Sequence, residues 1–228
     1  MKVDLLAFTT VTPHALELME WEPGSSGSDH LMVCAGRECY QSFHKPNPKT
    51  RSNEDYLAHI LEIDHTSIME HASATFRLTG VSRNLLAELT RHRHLSFSVQ
   101  SQRYVDESAG AFVVPPDLAD DTDSDEIIAD MLALHARATR LYAKLVKQMQ
   151  EKGYGRKQAR QAARAVLPGG HETRIIVTGN MRAWRHVLKM RFSVHADVEI
   201  REMAGDILKQ LRVIAPGTFQ DFEDTPRQ

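Results

Sequence analysis

The stretch Ala72-Ser-Ala-Thr-Phe-Arg-Leu-Thr79-Gly80-Val-Ser82-Arg-Asn-Leu-Leu86-Ala-Glu-Leu89-Thr-Arg91-His-Arg-His94 changes its period part-way through. From Ala72 to Thr79 β-forming residues alternate, the period-two pattern of a half-buried strand. Gly80 is expected to end that strand. Ser82 is a short hydroxyl residue of the kind that caps helices, and Leu85, Leu86 and Leu89 follow at helical spacing. A strand therefore feeds a helix that runs directly into Arg91-His-Arg-His94.

Outward from there the elements continue to mix. Val3–Phe8 reads as a first strand and 30–40 as a helix. Glu22-Pro-Gly-Ser-Ser-Gly-Ser-Asp29 and Lys45-Pro-Asn-Pro-Lys49 read as loops. Asn53 is expected to cap a helix to about Asp64. Ala111–Pro115 reads as a short strand. The acidic run Asp120–Glu126 precedes a long amphipathic helix, Glu126 to about Gln150, with apolar residues at Ile127, Ile128, Met131, Leu134, Leu141, Leu145 and Met149. Acids favour a helix start through the macrodipole, so the run reads as that rather than as a binding site. A helix over Arg156–Leu167, a strand over Thr173–Thr178, a helix capped by Asn180 and a last helix over His195–Val213 complete the chain. Helices predominate and the strands are not set in regular βαβ order. The expected class is α+β, as one domain over 1–228.

The 228 residues are 42% hydrophobic and 25% charged, the balance of a globular chain rather than a disordered or fibrous one. Neither a membrane helix nor a signal peptide is read, and the expected location is cytoplasmic. The two cysteines, Cys34 and Cys39, form neither a disulfide framework nor a metal pair. The net charge of −2 argues against a general nucleic-acid binder. Local arginine clusters in a chain of slight negative charge point instead to a pocket for small anions.

The densest cluster is Arg91-His-Arg-His-Leu-Ser-Phe-Ser-Val-Gln-Ser-Gln-Arg-Tyr104. No acid is interleaved, so the arginines have no local partners. Their planar forks of donors suit phosphate and carboxylate. Arg156, Arg160 and Arg164 form a second cluster on one helix face, without acids at helical spacing. Asn180–His186, Arg191, His195 and Arg201 form a third. Trp184 and Val187 read as core, whereas Arg182, Arg185 and Arg191 need anionic partners if buried. The histidines do not form a credible zinc set, and no metal is expected. A Gly-x-Ser-x-Gly elbow, a Walker loop and a Gly-x-Gly-x-x-Gly fingerprint are all absent.

At these residues the sequence resembles the flavin-dependent thymidylate synthase family, whose signature is Arg-His-Arg, seven or eight residues, then Ser. Here it is Arg91-His92-Arg93, seven residues, then Ser101, with Gln102-Arg103-Tyr104 following. His65-x-Ser67-x-x-Glu70-His71 resembles an upstream segment of the family. Ala159–Pro168 resembles its Ala-Arg-x-x-Leu-Pro helix, and Asn180–Arg201 its C-terminal block. Ser98-Val99 stands where many members have Asn-Glu, Glu88 where Gln is frequent and His186 where Asn is frequent.

The resemblance implies a mixed β-sheet flanked by helices, and a homotetramer with sites at subunit junctions. It implies reductive methylation of dUMP to dTMP, with methylenetetrahydrofolate as carbon donor, NADPH as reductant and FAD as hydride relay, and no enzyme nucleophile. Carried over residue by residue, Arg191 is the catalytic residue, stabilising charge at the uracil. dUMP contacts are implied for Glu88, Arg91, Val99, Gln100, Ser101, Gln102, Arg103, Arg164 and Arg191. FAD contacts are implied for Ser67, Arg91, His92, Arg93, Val99, Asn180, Arg182 and His186. His65, Glu70 and His195 are implied on the folate and flavin side. Nucleic acid and membrane are not expected partners. The alternative reading is a non-catalytic nucleotide- or RNA-binding module using the same arginines.

Overall fold

The computed structural model describes residues 1–18, 27–43, 47–119 and 121–228. The strands are β1 (Lys2–Phe8), β2 (Ser73–Ser82), β3 (Ser96–Val99) and β4 (Glu172–Asn180). The helices are α1 (Pro13–Leu18), α2 (Gly27–Tyr40), α3 (Asn53–Glu62), α4 (Arg83–Leu89), α5 (Pro116–Ala119), α6 (Asp125–Glu151), α7 (Arg156–Ala163), α8 (Met181–Arg191) and α9 (Val198–Ile214). The four strands form a sheet in the order β1-β2-β4-β3.

The α+β class holds. Within it the strands pair antiparallel rather than as a sheet of mixed direction. Thr9 N donates to Ser73 O at 3.0 Å, whereas Met1 lies beside Gly80. Thr75 meets Thr178 at 2.9 Å, and Arg83 N donates to His171 O at 3.2 Å. Gln100 N donates to Arg174 O at 2.9 Å, whereas Gly179 lies beside Leu95. In each pair one residue number rises as the other falls, as an antiparallel ladder requires.

The chain forms two compact units. One comprises Met1–Lys2, Leu78–Arg91 and Phe97–Ile176; the other comprises Val3–Arg77, His92–Ser96 and Val177–Gln228. In the first, α6 packs on α7, and Leu85, Leu89, Tyr142, Ala159 and Ala163 are buried. In the second, α8 packs on α9, and α2 and α3 pack together. Its core includes Met32, Leu57, Phe76, Trp184, Leu188, Met203, Leu211 and Phe219. Trp184 meets Phe76 edge-on at 5.1 Å and donates its indole N–H to Ala74 O, so its one polar atom is satisfied.

The caps follow local chemistry. Ser82 Oγ accepts from Leu85 N at 3.0 Å and Asn180 Oδ1 from Ala183 N at 2.8 Å, both as the sequence implies. Ser52, rather than Asn53, caps α3, by accepting from Asp55 N at 3.0 Å. Gly80 does not end β2. It continues the strand at φ +65, a left-handed conformation that glycine adopts without steric cost. Ala111–Pro115 forms only an isolated bridge, Phe112 to His171. The helix expected over Arg156–Leu167 stops at Ala163, and Arg164–Val166 tighten into a 3-10 turn. The helix expected from His195 begins at Val198.

Of the expected loop at 22–29, residues 22–26 lie outside the described residues, and Gly27 to Asp29 open α2. Of the expected loop at 45–49, residues 45 and 46 lie outside them, and Pro48–Thr50 form a 3-10 turn. Asp120 also lies outside them. The acids after it do serve a helix start: Asp125 and Glu126 occupy the first turn of α6.

The apolar stripe of α6 is not where an amphipathic helix usually puts it. The helix buries His135, Thr139 and Tyr142, whereas Ile127, Leu134 and Leu141 are 52%, 64% and 44% exposed. Among the described residues, no helix is long and apolar enough to cross a membrane.

Candidate active site

In the unit containing Phe97–Ile176, β3 delivers the chain into a tight turn. Tyr104 N and Val105 N both donate to Ser101 O, at 3.1 and 2.9 Å. The turn exposes Arg103 and buries Gln102. Arg160 of α7 clamps it from outside, donating to Tyr104 O and to Asp106 Oδ2, the latter at 3.0 Å. The basic stripe on α7 therefore has an acid partner after all. It comes from a loop fifty-four residues away, not from helical spacing. Burial disfavours the Asp106 charge, but hydrogen bonds from Ser108 and Arg160 outweigh it and hold the carboxyl below its usual range. Lys157 stands 4.9 Å from the centre of the Tyr104 ring.

Arg83, in the first turn of α4, is a site candidate that sequence reading missed. Burial lowers the pKa of its guanidinium; nearby Glu107 opposes this and nearby Arg164 adds to it. The available signal was a cation at the start of a helix, where the macrodipole disfavours it. Glu88 and Arg91 stand at the other end of α4, Glu88 half-buried and Arg91 exposed. Val99 closes β3, and Arg164 is exposed where α7 tightens. Gln100 turns its side-chain amide to Glu107, at 3.3 and 3.4 Å from the two carboxylate oxygens.

In the other unit, Arg191 at the C-terminal end of α8 donates Nε–H to His92 Nε2 at 3.0 Å. A guanidinium has no lone pair to offer, so this Nε2 is an acceptor and His92 is neutral, with its proton on Nδ1. The His186 ring stands edge-on to His92 at 5.7 Å. Arg182 and Glu70 form an exposed ion pair, in keeping with the packing of the 3-10 turn Thr66–Glu70 against α8. His65, Ser67, Arg93 and His195 are exposed. The Asn180 carbonyl oxygen is used in its cap, accepting from Ala183 N. Trp184 and Val187 are core, as their sequence pattern implies. Arg185 is buried with the partner such burial requires, Asp221, in a two-pronged contact at 2.7 and 2.6 Å.

The family described as thymidylate synthase complementing protein matches residues 19–217. A probable flavin-dependent thymidylate synthase of Mycobacterium phage L5 is 47% identical over 241 residues, covering 99% of both chains. The chain belongs to the flavin-dependent thymidylate synthase family. Members from Mycobacterium tuberculosis (strain ATCC 25618 / H37Rv) and Mycobacterium avium (strain 104) are each 51% identical. They cover 90% and 89% of this chain, and 84% and 83% of their own length is covered. The fold is similar to that of thymidylate synthase X from Helicobacter pylori, crystallised with FAD and dUMP. The TM-score is 0.69, with 21% identity, over 97% of this chain and 98% of that one.

The donor set suits the anionic ligands of such a family. Arg91, Arg93, Arg103 and Arg164 are exposed, and among the described residues none of them is in an ion pair. Cations left without acids are a ready sink for phosphate.

Proposed function

We propose that this chain converts dUMP to dTMP by reductive methylation, with methylenetetrahydrofolate as carbon donor, NADPH as reductant and FAD as cofactor. The observation that carries the reading is the 47% identity to a family member sustained over 99% of both chains. FAD, when bound, supplies the hydride relay. The chain's own residues bind and orient. Arg164 and the Ser101–Arg103 turn hold dUMP, with Glu88, Arg91, Val99 and Gln100 around it. Arg91, His92, Arg93, Ser67, Val99, Asn180, Arg182 and His186 hold FAD. His65, Glu70 and His195 line the folate side.

Arg191 is the catalytic residue. Its Nε is engaged by neutral His92, which fixes the plane of the guanidinium. A cation held beside the uracil stabilises negative charge on the ring and makes its C5 a better nucleophile towards the one-carbon unit. The whole chain acts as one functional domain, in the cytoplasm, on small anionic ligands rather than nucleic acid.

The reading includes a homotetramer. What supports a second copy is α6. Ile127, Met131, Leu134, Ala138, Leu141 and Leu145 recur at alternating steps of four and three, the seam of a helix pair. Asp125, Glu126 and Asp130 precede the seam's centre and Arg140, Lys144 and Lys147 follow. Two antiparallel copies lay the acidic half of each on the basic half of the other. Leu134→Asp is expected to reduce the mass measured by light scattering to that of a smaller species. An unchanged mass removes α6 from the interface.

The activity is tested by anaerobic incubation of the purified protein with dUMP, methylenetetrahydrofolate, NADPH and FAD, followed by chromatography for dTMP. Product that disappears when the protein is stripped of flavin and FAD is omitted is the expected result. No product and no flavin binding overturns the reading.

A further inference from the structure

Behind the Ser101–Arg103 turn lies a buried chain of titratable groups that the proposed chemistry does not use. Glu107 is 2% exposed, His171 0% and His135 7%. Glu107 Oε2 stands 2.9 Å from His171 Nε2, and His171 Nδ1 stands 3.0 Å from His135 Nε2. The groups come from three places far apart in sequence: the loop after β3, the residue just before β4 and the middle of α6. Each ring nitrogen of His171 is used on a different neighbour, so the three groups form a line and do not converge on a point as metal ligands do.

The protons in that line are fixed by the carboxylate. Ionised Glu107 only accepts, so His171 Nε2 carries a proton and donates it. A neutral His171 then has Nδ1 as acceptor, and His135 Nε2 donates to it. Burial and the neighbouring His171 lower the pKa of His135, which keeps it neutral in this role. The close approach also constrains the backbone. A Cβ on Gly110 would lie 2.4 Å from the His171 ring, so residue 110 has room only for glycine. Tyr142 of α6 grips Glu107 through its backbone, the hydroxyl oxygen accepting from Glu107 N at 3.4 Å.

The free side of the carboxylate faces the substrate turn. Gln100 Nε2 lies within reach of both oxygens of Glu107, and Arg83 is close enough for its charge to be stabilised by Glu107. We propose that Glu107, locked in place by His171 and His135, is a positioning residue that holds the 100–103 turn in its nucleotide-binding shape through Gln100. The dUMP affinity is then set by a buried carboxylate that does not touch the ligand. Gln100, a contact residue by family resemblance, acts through its side chain as the link. This inference rests on the dUMP reading above.

The test measures dUMP Kd on the FAD-loaded protein by calorimetry, with KM and kcat alongside. Glu107→Gln and Gln100→Leu are each expected to raise the dUMP Kd about five- to tenfold, the upper part of the range for one ordinary hydrogen bond. At saturating dUMP, kcat of Glu107→Gln stays within about twofold, because the reacting atoms keep their partners. The double variant binds no more weakly than the poorer single one, since both changes cut the same link. His171→Gln, whose amide donates where Nε2 does, binds dUMP more tightly than His171→Leu. An unchanged Kd in Gln100→Leu, or a double variant whose loss is the product of the two single losses, overturns the positioning role. If Glu107→Gln does not fold, the His171 pair decides: tighter dUMP binding in His171→Gln than in His171→Leu supports the role, and equal Kd values in the two overturn it. Absence of dUMP binding by the unaltered protein would overturn the activity reading instead.

Discussion

Each of the two units buries charged side chains, and it uses them differently. In the unit containing Val177–Gln228, Asp29 accepts from Gly217 N at 2.8 Å and from the Thr218 hydroxyl at 2.6 Å, and Arg185 grips Asp221. These contacts tie α2 and α8 to the 3-10 turn Gly217–Phe219, residues nearly two hundred positions apart in the case of Asp29. They close the fold, and no member of the Arg91–Tyr104 stretch takes part. In the unit containing Phe97–Ile176, the buried groups Glu107, His171 and His135 gather behind the turn that carries Ser101 and Arg103. Burial of charge does not by itself mark a site. What the charge is attached to decides: in one unit the core, in the other a loop.

The sharpest way to separate chemistry from scaffolding is Arg191→Ala. It is expected to lower dTMP formation by about 10²–10³-fold or more, the range for removing a charge-stabilising donor. Flavin absorbance and thermal stability stay near those of the unaltered protein, and near-normal turnover would remove Arg191 from the chemistry. Next comes a stability test of the scaffold tie. Asp221→Ala strands the buried Arg185 guanidinium and is expected to cost about 2–3 kcal/mol in denaturant unfolding. That is below the usual figure for a broken buried pair, because Asp221 is itself partly exposed. Arg185→Met leaves only a half-exposed carboxylate behind and should cost less; the reverse order would contradict this account.

Arg164→Ala tests the other unit. It should weaken dUMP binding by about 1.5–3 kcal/mol. Folding stability should change by less than about 0.5 kcal/mol, since Arg164 is exposed and, among the described residues, in no ion pair. Equal affinity by calorimetry would refute its phosphate role.

The smallest effect is a pH dependence. The folded protein holds His135 with a pKa below its ordinary 6.5, so the unfolded chain binds its proton more readily. The corresponding stability is present above about pH 6.5 and is lost as pH falls from there through the depressed value. His135→Gln should therefore flatten the loss of Tm between pH 7 and 5. An unchanged slope would place the titration elsewhere.

The local parts of this structure were legible in the sequence. Ser82 and Asn180 cap their helices because a cap needs only a short acceptor and the next three residues. The start of α6 followed from its acids. The Arg91-His-Arg93 to Ser101 spacing carried the family. Non-local features were not legible. β3 is four residues inside an arginine-rich run, and what makes it a strand is pairing with β4 some seventy-five positions on. Arg160 finds Asp106, and Glu107 finds His171, across 54 and 64 residues. No periodicity encodes such pairs. The stripe on α6 showed that one face of the helix was apolar, but not that this chain buries the opposite face.

That stripe has a consequence for how mutations count. Ala138 sits midway between Ile127 and Met149, so in the antiparallel pair proposed above the two α6 helices would cross at Ala138, each copy meeting its own image there. A substitution at this position is inherited once and felt twice at the same point. A small gain in bulk at Ala138 forces two new side chains into one gap. Ile127, which in the proposed pair would face the far end of the neighbouring helix, offers two separate places where a change can be absorbed. Tolerance to substitution along α6 should therefore be lowest at its middle and increase towards both ends.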